Sequence, residues 1–128
     1  MVEVRPIGVV RSPLTDRRRA PKQGGEGGAE AWLELDAAVA PALADVAAGD
    51  RLVLVTWLHE ADRDVLRVHP RDDPANPETG VFSTRSADRP NPIGLHEVTV
   101  AEVQGRRVLV RPLEAVDGTP ILDIKTAL

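Results

Sequence analysis

Proline and glycine divide this chain into short segments. The 128 residues include 11 Pro and 10 Gly, and the runs between them are short, apolar or alternating, and rich in Val, Leu and Ile. Runs of this kind bounded by turn residues are typical of β-strands. Many short strands joined by turns favour an antiparallel sheet that curls into a small barrel. We therefore expect a mainly β protein, a small antiparallel β-barrel with one short helix, and a single domain over residues 1–128.

Local patterns place the elements of this expected fold. The nearly continuous apolar run Leu52–Leu58 predicts the central buried strand, and Gln104-Gly105 between two alternating runs predicts a hairpin turn. One helix is expected over Ala37–Ala48, because this Ala-rich segment follows Asp36 as a candidate N-cap and ends before Gly49. The segments with strand-like patterns are 4–10, 32–35, 51–59, 65–68, 81–83, 95–103, 107–111 and 121–124.

Composition excludes several classes of protein. The absence of Cys removes disulfides, thiolate catalysis and Cys-ligated zinc, and it fits a cytoplasmic location. No apolar run approaches the roughly 20 residues that span a bilayer, so no membrane association is expected. The three His residues, at 59, 69 and 96, are too scattered along the chain to predict a metal site. Three aromatic residues cannot form a long stacking platform for single-stranded nucleic acid.

Charge is distributed unevenly along the chain. Residues 1–25 hold six cationic and two acidic side chains, a net +4, within a protein whose overall charge is −4. Residues 12–30 are rich in Pro and Gly, which predicts a long loop, and loops of this length are often functional lids. The cluster Arg17-Arg18-Arg19 with Lys22 suits an anionic partner, although such a run is also compatible with a solvated loop.

The segment Gly80–Leu95 carries chemistry on a stiff backbone. Pro90 and Pro92 on either side of Asn91 restrict the backbone, so neighbouring side chains are held at low entropic cost. The guanidinium groups of Arg85 and Arg89 and the Asn91 amide suit carboxylates, phosphates or a purine edge. The alternative is a rigid connection between two strands, in which Arg pairs with a neighbouring carboxylate.

A second informative segment is Asp117–Lys125. Asp117-Gly118 indicates a turn, and Asp123 interrupts an apolar run that reads as a strand. A buried carboxylate is costly without a partner. Lys125, Arg85 or a bound cation could provide that partner.

These segments together resemble a known family. Ile7–Pro13, Pro21–Gln23, Gly80–Leu95 and Asp117–Lys125 are similar, in order and rough spacing, to the TsaA-like family. Its best-described members are the S-adenosylmethionine-dependent enzymes called tRNA methyltransferase O. The resemblance implies a small β-barrel that binds this cofactor near a homodimer interface. It also implies methylation of N6 of threonylcarbamoyladenosine, next to the anticodon of tRNA.

The resemblance implies roles for particular residues. For the cofactor, Phe82 with Ile93 and Leu122 would enclose the adenine, and the backbones of Gly94 and Gly118 would approach the ligand closely. The polar groups of the cofactor would be bound by Arg85, Asn91, Asp117 and Asp123. Candidates for the group that accepts the N6 proton are Asp123, His59 and Glu60. The predicted substrate-binding residues are Arg17, Arg18, Arg19, Lys22, Gln23, Arg89 and Lys125.

Two alternatives remain open on the sequence. The acidic balance of residues 26–128, a net −8, is compatible with a methyltransferase that acts on a small-molecule acceptor. The chain is also compatible with a non-catalytic module that binds S-adenosylmethionine.

Overall fold

The protein is mainly β, as expected from the sequence. The computed structural model describes residues 1–14 and 29–128. None of the helices in this part of the chain has the length and apolar character needed to cross a bilayer. The described strands are β1 (Gly8–Arg11), β2 (Ala31–Leu35), β3 (Arg51–Trp57), β4 (Arg67–Val68), β5 (Thr79–Gly80), β6 (Ile93–Gln104), β7 (Arg107–Arg111) and β8 (Pro120–Thr126).

Six of the described strands close into an antiparallel barrel. Their order around the barrel is β1-β2-β7-β6-β3-β8, and β8 pairs with β1 to complete the ring. Strand β3 pairs with β6 along its whole length, from Arg51 opposite Thr99 to Trp57 opposite Ile93. On its other side it pairs with β8, with a register shift between Val55 and Thr56. Strands β4 and β5 form a separate two-stranded ribbon.

Alternation along the strands fills the barrel. Leu52, Leu54 and Thr56 of β3 are buried, whereas the residues between them are partly exposed. The same period of two gives the neighbouring strands one apolar and one mixed face. The buried apolar side chains form one cluster, whose fully enclosed members include Leu33, Leu54, Leu113, Ile121, Val10 and Val110.

The expected helix is shorter and of a different type. Residues Ala37–Leu43 form a 3-10 helix, with the amide of Val39 donating to the carbonyl of Asp36 at 3.1 Å. Pro41 lies inside this segment and has no N–H to donate, so an α-helical ladder through it is broken. The Asp36 side chain makes no capping hydrogen bond. The helix predicted over Ala37–Ala48 is therefore present but ends earlier, at Leu43, and is of the 3-10 type.

Other boundaries differ by a few residues for local reasons. Strand β1 begins at Gly8 instead of Val4, beyond Pro6, which cannot donate to a ladder. Residues Val81–Ser83, expected to be extended, form a 3-10 turn closed by the Thr84 amide on the Val81 carbonyl. The hairpin turn lies at Gly105-Arg106, one residue later than predicted, with Gly105 at φ 59°.

Gly8 lies where the backbones of β1 and β2 come into close contact. A Cβ at this position would overlap the Glu34 carbonyl oxygen and lie 2.9 Å from Leu35 Cα, both in the backbone of β2. Backbone cannot move aside as a flexible side chain can, so we expect Gly8→Ala to lower the free energy of unfolding by about 2 kcal/mol. Gly80→Ala is the matched control, because its Cβ would meet nothing within 4 Å. Denaturant unfolding curves that coincide for the two variants would contradict this account.

Candidate functional site

A cleft of about 590 Å³ lies at the mouth of the barrel, beyond the end of β3. Barrel mouths are a common position for ligand sites, and this volume falls within their usual range. The walls of the cleft come from the turn after β3, the segment that follows β4, the segment between β5 and β6, the start of β6, and the connection from β7 to β8. The lining residues are Leu58–Ala61, Val68–Asp72, Ser83–Asp88, Ile93–His96, Glu114–Val116 and Thr119.

Hydrogen bonds join the two segments that form one wall, residues 58–64 and 81–92. The Asp62 amide donates to Asp88 Oδ1 at 2.8 Å, and the Arg89 amide donates to the Asp62 carbonyl at 3.1 Å. The Leu58 amide donates to the Pro92 carbonyl at 2.8 Å. The wall is thus an extension of the β3–β6 pairing beyond the end of the sheet.

Arg89 organises this wall from within. One guanidinium nitrogen, Nη1, donates to the carbonyls of Thr84 at 3.1 Å and Ser86 at 2.9 Å. The other, Nη2, donates to the Val81 carbonyl at 2.8 Å. These bonds occupy much of the five-donor fork of arginine. The geometry therefore places the Arg89 side chain on the protein's own backbone, and its predicted contact with substrate stays a prediction.

Asn91 is also engaged by the protein. Arg63 donates from Nε to the Pro90 carbonyl at 2.7 Å and from Nη2 to Asn91 Oδ1 at 2.9 Å. The same guanidinium lies over Trp57, 5.0 Å from the ring centre. Asn91 does not line the cleft. The rigid Pro90-Asn91-Pro92 frame is therefore fastened to the outer side of β3.

The cleft has a polar floor that sequence reasoning missed. His96 lines the cleft, and its Nε2 lies 2.9 Å from the hydroxyl of Thr56, which is fully buried. Burial lowers the pKa of His96 from 6.5 to about 4, so the imidazole is neutral at physiological pH. The signal was available in the alternation of β6, which directs position 96 to the inside of the barrel between Gly94 and Val98.

Gly94 is required by this floor. A Cβ there would lie 2.5 Å from Thr56 Oγ1 and 2.8 Å from His96 Nε2. The space at Gly94 is thus limited by Thr56 and His96. This constraint is separate from the close approach of a ligand to the Gly94 backbone, which was expected from the sequence. Gly118 is different, because its Cβ would meet nothing and its φ of 85° is what favours glycine.

The structure brings some of the predicted site residues together and separates others. His59, Glu60, Arg85, Ile93 and Gly94 all line the cleft. Predicted residues that lie outside its lining are Phe82, Arg89, Asn91, Asp117, Gly118, Leu122, Asp123 and Lys125. Arg17, Arg18, Arg19, Lys22, Gln23 and most of the expected lid 12–30 lie outside the described residues.

Asp123 occupies a different environment from the one expected. It is exposed, not buried in a strand, and its Oδ1 accepts from the Ile124 amide at 2.8 Å. With Lys125 it lines a second groove of about 370 Å³, which also contacts Leu52 near the start of β3. The expected need for a charge partner therefore does not arise.

Asp117 binds the residues that precede segment 15–28, which lies outside the described residues. Its Oδ1 accepts from the Ser12 amide at 3.0 Å, and its own amide donates to the Leu14 carbonyl at 2.7 Å. Arg11 lies 3.8 Å from Oδ2. Asp117 therefore fixes residues 12 and 14, shortly after Val10, whose amide donates to the carbonyl of the cleft-lining Thr119 at 2.9 Å.

Comparison with known proteins now identifies the family. Residues 9–128 match the family described as the tRNA-methyltransferase O N-terminal domain. The chain belongs to this family. The resemblance to the TsaA-like family, in which these proteins are grouped, is thus confirmed.

Relatives of this tRNA-methyltransferase O family domain carry names that refer to a cofactor. The chain is 44% identical over 119 residues to "Probable S-adenosyl-L-methionine-binding protein VirR" of Rhizobium radiobacter, covering 93% of this chain and 67% of that protein. It is 41% identical over 122 residues to an "S-adenosyl-L-methionine-binding protein" of Archaeoglobus fulgidus, covering 95% and 86% of the two chains.

Solved structures match the family fold along the whole chain. The crystal structure of TrmO from Pseudomonas aeruginosa superposes with a TM-score of 0.79 and 28% identity, covering 100% of this chain and 56% of that one. Another TrmO crystal structure gives a TM-score of 0.78 at 30% identity. The chain therefore spans about half the length of the TrmO chains that it matches.

The lowered pKa of His96 in this family domain gives a stability prediction. As pH falls, the unfolded chain takes up a proton near pH 6.5, whereas the folded chain resists protonation until about pH 4. The free energy of unfolding is therefore expected to fall by up to about 3 kcal/mol as pH drops through this window, and to be insensitive to His96 above it. Denaturant unfolding between pH 4 and pH 8 measures this dependence.

The comparison that isolates this effect uses two variants. His96→Asn removes the titrating group. Its free energy of unfolding should therefore depend less on pH between 6.5 and 4 than that of the wild type. His59→Gln is the control, because His59 is exposed, and its curve should run parallel to wild type. A His96→Asn curve that also runs parallel would show that burial of His96 does not govern acid stability.

Proposed function

We propose that this chain binds S-adenosylmethionine in the cleft at the barrel mouth and transfers its methyl group to an acceptor. The observation that carries the proposal is a preformed cleft of about 590 Å³ in a domain of the tRNA-methyltransferase O family. The names of the relatives from Rhizobium radiobacter and Archaeoglobus fulgidus support the identity of the cofactor.

The charge of the cleft fits this ligand. Among the described lining residues, four carboxylates and two guanidinium groups leave a formal charge of −2 with the imidazoles neutral. A net negative site favours a cationic sulfonium and an ammonium group over an anionic ligand. The carboxylates are those of Glu60, Asp72, Asp88 and Glu114, and the guanidinium groups are those of Arg71 and Arg85.

Arg85 is the group that we assign to the carboxylate of the cofactor. It is exposed on the cleft wall, and the carbonyls of Thr84 and Ser86 on either side of it are fixed by Arg89. The Arg85 backbone is thus ordered, whereas its side chain projects from the wall. A guanidinium suits a carboxylate because it can donate two parallel hydrogen bonds.

The backbone at Arg71 and Asp72 supports a functional role for the opposite wall. Both residues line the cleft, and both adopt left-handed conformations, with φ of 59° and 55°. Non-glycine residues rarely adopt this conformation, and such strain is concentrated at ligand sites.

When bound, the cofactor would supply the methyl group of its sulfonium. The acceptor atom would bond the methyl carbon in line with the breaking carbon–sulfur bond, and S-adenosylhomocysteine would leave. The protein's task is then to orient the acceptor and to receive its proton. His59 and Glu60 lie on the cleft wall and are the candidates within one chain. Asp123 lines the second groove instead, so its participation would require a second copy of the chain to bring it to the cleft.

For the acceptor, we propose N6 of threonylcarbamoyladenosine next to the anticodon of a tRNA. The family description supports a tRNA substrate, and the modified base is the one that the resemblance implies. The cationic residues among 17–22 would supply contacts to phosphate. A tRNA substrate also agrees with a cytoplasmic location. A small-molecule acceptor is the second candidate, favoured by the negative charge of the cleft and of residues 26–128.

Cofactor binding is tested by calorimetry with S-adenosylmethionine and its demethylated product, S-adenosylhomocysteine. We expect saturable binding, weakened about tenfold or more by Arg85→Gln, since hydrogen bonds to charged groups contribute roughly 1.5–3 kcal/mol. Arg51→Gln is the control, because Arg51 pairs with Glu97 at the far end of β3. Absence of wild-type binding near millimolar ligand would remove the main support for the function.

The acceptor is tested by methyl transfer to tRNA that contains unmethylated threonylcarbamoyladenosine. Replacing Arg17, Arg18 and Arg19 together by Ala should weaken tRNA methylation and flatten its dependence on salt, because fewer phosphates are neutralised. Calorimetric binding of S-adenosylhomocysteine should be unchanged. Replacing Arg51, Arg67 and Arg106 together by Ala is the control for net charge, because these three residues lie outside the cleft lining.

The outcomes of this assay separate the candidate functions. Equal methylation of tRNA by the wild type and the Arg17–Arg19 variant would show that the cluster is a solvated loop. Cofactor binding without tRNA methylation would favour a small-molecule acceptor, which a parallel screen of a metabolite extract would detect. Binding without any methylated product would favour a non-catalytic binding module.

We also propose that the protein is a homodimer whose interface borders the cleft. Ile93 and Leu95, on the outer side of β6, are 44% and 52% exposed, and both line the cleft. Their partners across the ladder are Trp57 and Val55 of β3, which are only half-buried. An exposed apolar stripe of this kind is typical of an interface between chains.

Sedimentation equilibrium tests the dimer at the concentrations used for activity. We expect the mass of two chains for the wild type, and dissociation toward one chain for Leu95→Glu, because a charge would be buried at the interface. Thr99→Glu is the control on the outer side of the same strand, away from the apolar stripe. A monomeric wild type, or a dimeric Leu95→Glu, would exclude this interface.

A further inference from the structure

The hydrogen bond between Thr56 and His96 has one favoured direction. Thr56 on β3 lies opposite Gly94 on β6, and both Thr56 and His96 point to the inside of the barrel. The Thr56 hydroxyl lies 2.9 Å from His96 Nε2. Within residues 1–14 and 29–128, His96 is the hydrogen-bond partner that the structure gives to this hydroxyl.

Two arrangements of the shared hydrogen are conceivable, and they differ in cost. If Nε2 carried the hydrogen, it would donate to Thr56, and the hydroxyl hydrogen would be left unpaired in a fully buried position. An unpaired buried donor costs about 1–3 kcal/mol. If Thr56 donates to an unprotonated Nε2, both groups are satisfied. The second arrangement is therefore favoured, and it places the imidazole hydrogen on Nδ1.

The second imidazole nitrogen, Nδ1, is the one left for a ligand. Among the described residues, no buried side-chain nitrogen or oxygen lacks a hydrogen-bond partner. Thr56 bonds Nε2, and within residues 1–14 and 29–128 nothing bonds Nδ1, so Nδ1 is not sealed in the interior. Since His96 lines the cleft, the Nδ1–H group is accessible from it.

We propose that His96 binds the ligand of the cleft by donating a hydrogen bond from Nδ1 to an uncharged acceptor atom, either a carbonyl oxygen or a ring nitrogen. Thr56 is the residue that holds the imidazole in the required tautomer. The inference rests on the proposed function, because the ligand in question is the methyl donor or the methyl acceptor of that reaction.

A neutral donor suits this position better than a charged one. Burial keeps the imidazole uncharged, so no cation stands at the floor of the cleft against the sulfonium. The titratable and charged groups that line the cleft with it are His59, His69, Glu60, Arg71, Asp72, Arg85, Asp88 and Glu114. Lys or Arg at position 96 would donate equally well but would place a positive charge in the same site.

The acceptor atom has two possible sources. The adenine of S-adenosylmethionine presents ring nitrogens, and the threonylcarbamoyl group of the proposed substrate presents a carbonyl oxygen. Binding of S-adenosylhomocysteine separates them, because it contains the adenine and not the methyl acceptor.

The tautomer is measured directly by nitrogen-15 NMR of protein labelled at histidine. The wild type should show a protonated Nδ1 and an unprotonated Nε2 for His96. Thr56→Ser, which keeps the hydroxyl, should retain this pattern, whereas Thr56→Val, which removes it, should shift the population toward the Nε2–H form. A wild-type protein protonated at Nε2 would overturn the proposal.

Binding is measured by calorimetry at pH 7.5 for wild type, Thr56→Ser, Thr56→Val and His96→Phe. Loss of one neutral hydrogen bond should weaken affinity about three- to tenfold. If adenine is the partner, His96→Phe and Thr56→Val should weaken binding of S-adenosylhomocysteine by this factor. If the methyl acceptor is the partner, that binding should be unchanged and KM for tRNA should rise by the same factor. Thr56→Ser should match wild type in both cases.

Different results would overturn the proposed function and the role of His96. Wild-type protein that binds no S-adenosylhomocysteine and methylates no tRNA overturns the proposed function and this role with it. Wild-type binding and methylation that are unchanged in both His96→Phe and Thr56→Val overturn the role of His96 alone. Because Thr56→Val leaves the imidazole in place, it keeps the test valid if His96→Phe fails to fold.

Discussion

The pairing of β3 with both β6 and β8 is the constraint on which the rest of the structure depends. This strand is the apolar run of the sequence, and its inward side chains, Leu52 and Leu54, anchor the barrel core. The same pairing ends at Trp57 and Ile93, where the cleft begins. Position 56 is the last inward position of β3, and it is a buried Thr next to His96. One strand thus contributes both to the apolar core, through Leu52 and Leu54, and to the polar floor of the cleft, through Thr56.

Sequence reasoning could predict the elements whose signals are local. The alternation of β2, β6 and β7 and the apolar run of β3 predicted strands close to those observed. The resemblance to the family rested on four segments, Ile7–Pro13, Pro21–Gln23, Gly80–Leu95 and Asp117–Lys125. It failed where a single residue outweighed composition, as Pro41 did in the Ala-rich segment. It also failed at Asp123, because burial of a polar residue depends on which face of the barrel it occupies. Alternation along a strand gives two faces, and the register of the neighbouring strands decides which one is inside.

The motif between β5 and β6 shows how a pattern suited to ligand binding can serve the protein's own backbone. Arg89 and Asn91 carry the guanidinium and amide that the sequence associated with a ligand, yet the first donates to three carbonyls and the second accepts from Arg63. Donor-rich side chains can fix an irregular segment because its carbonyls lack partners in a ladder. The groups left to meet a ligand lie beside the motif, at Arg85 and His96.

The two ligands that the proposed reaction requires carry charges of opposite sign. A sulfonium donor is a cation, and a tRNA acceptor is a polyanion, so one site of a single sign cannot favour both. The described lining of the cleft carries a net negative charge, whereas the cationic side chains are clustered in the sequence at residues 17–22. Asp117 binds Ser12 and Leu14, which precede that cluster in the sequence. We therefore expect the sulfonium and the polyanion to be bound by different groups of one chain, the carboxylates of the cleft and the cationic residues among 17–22.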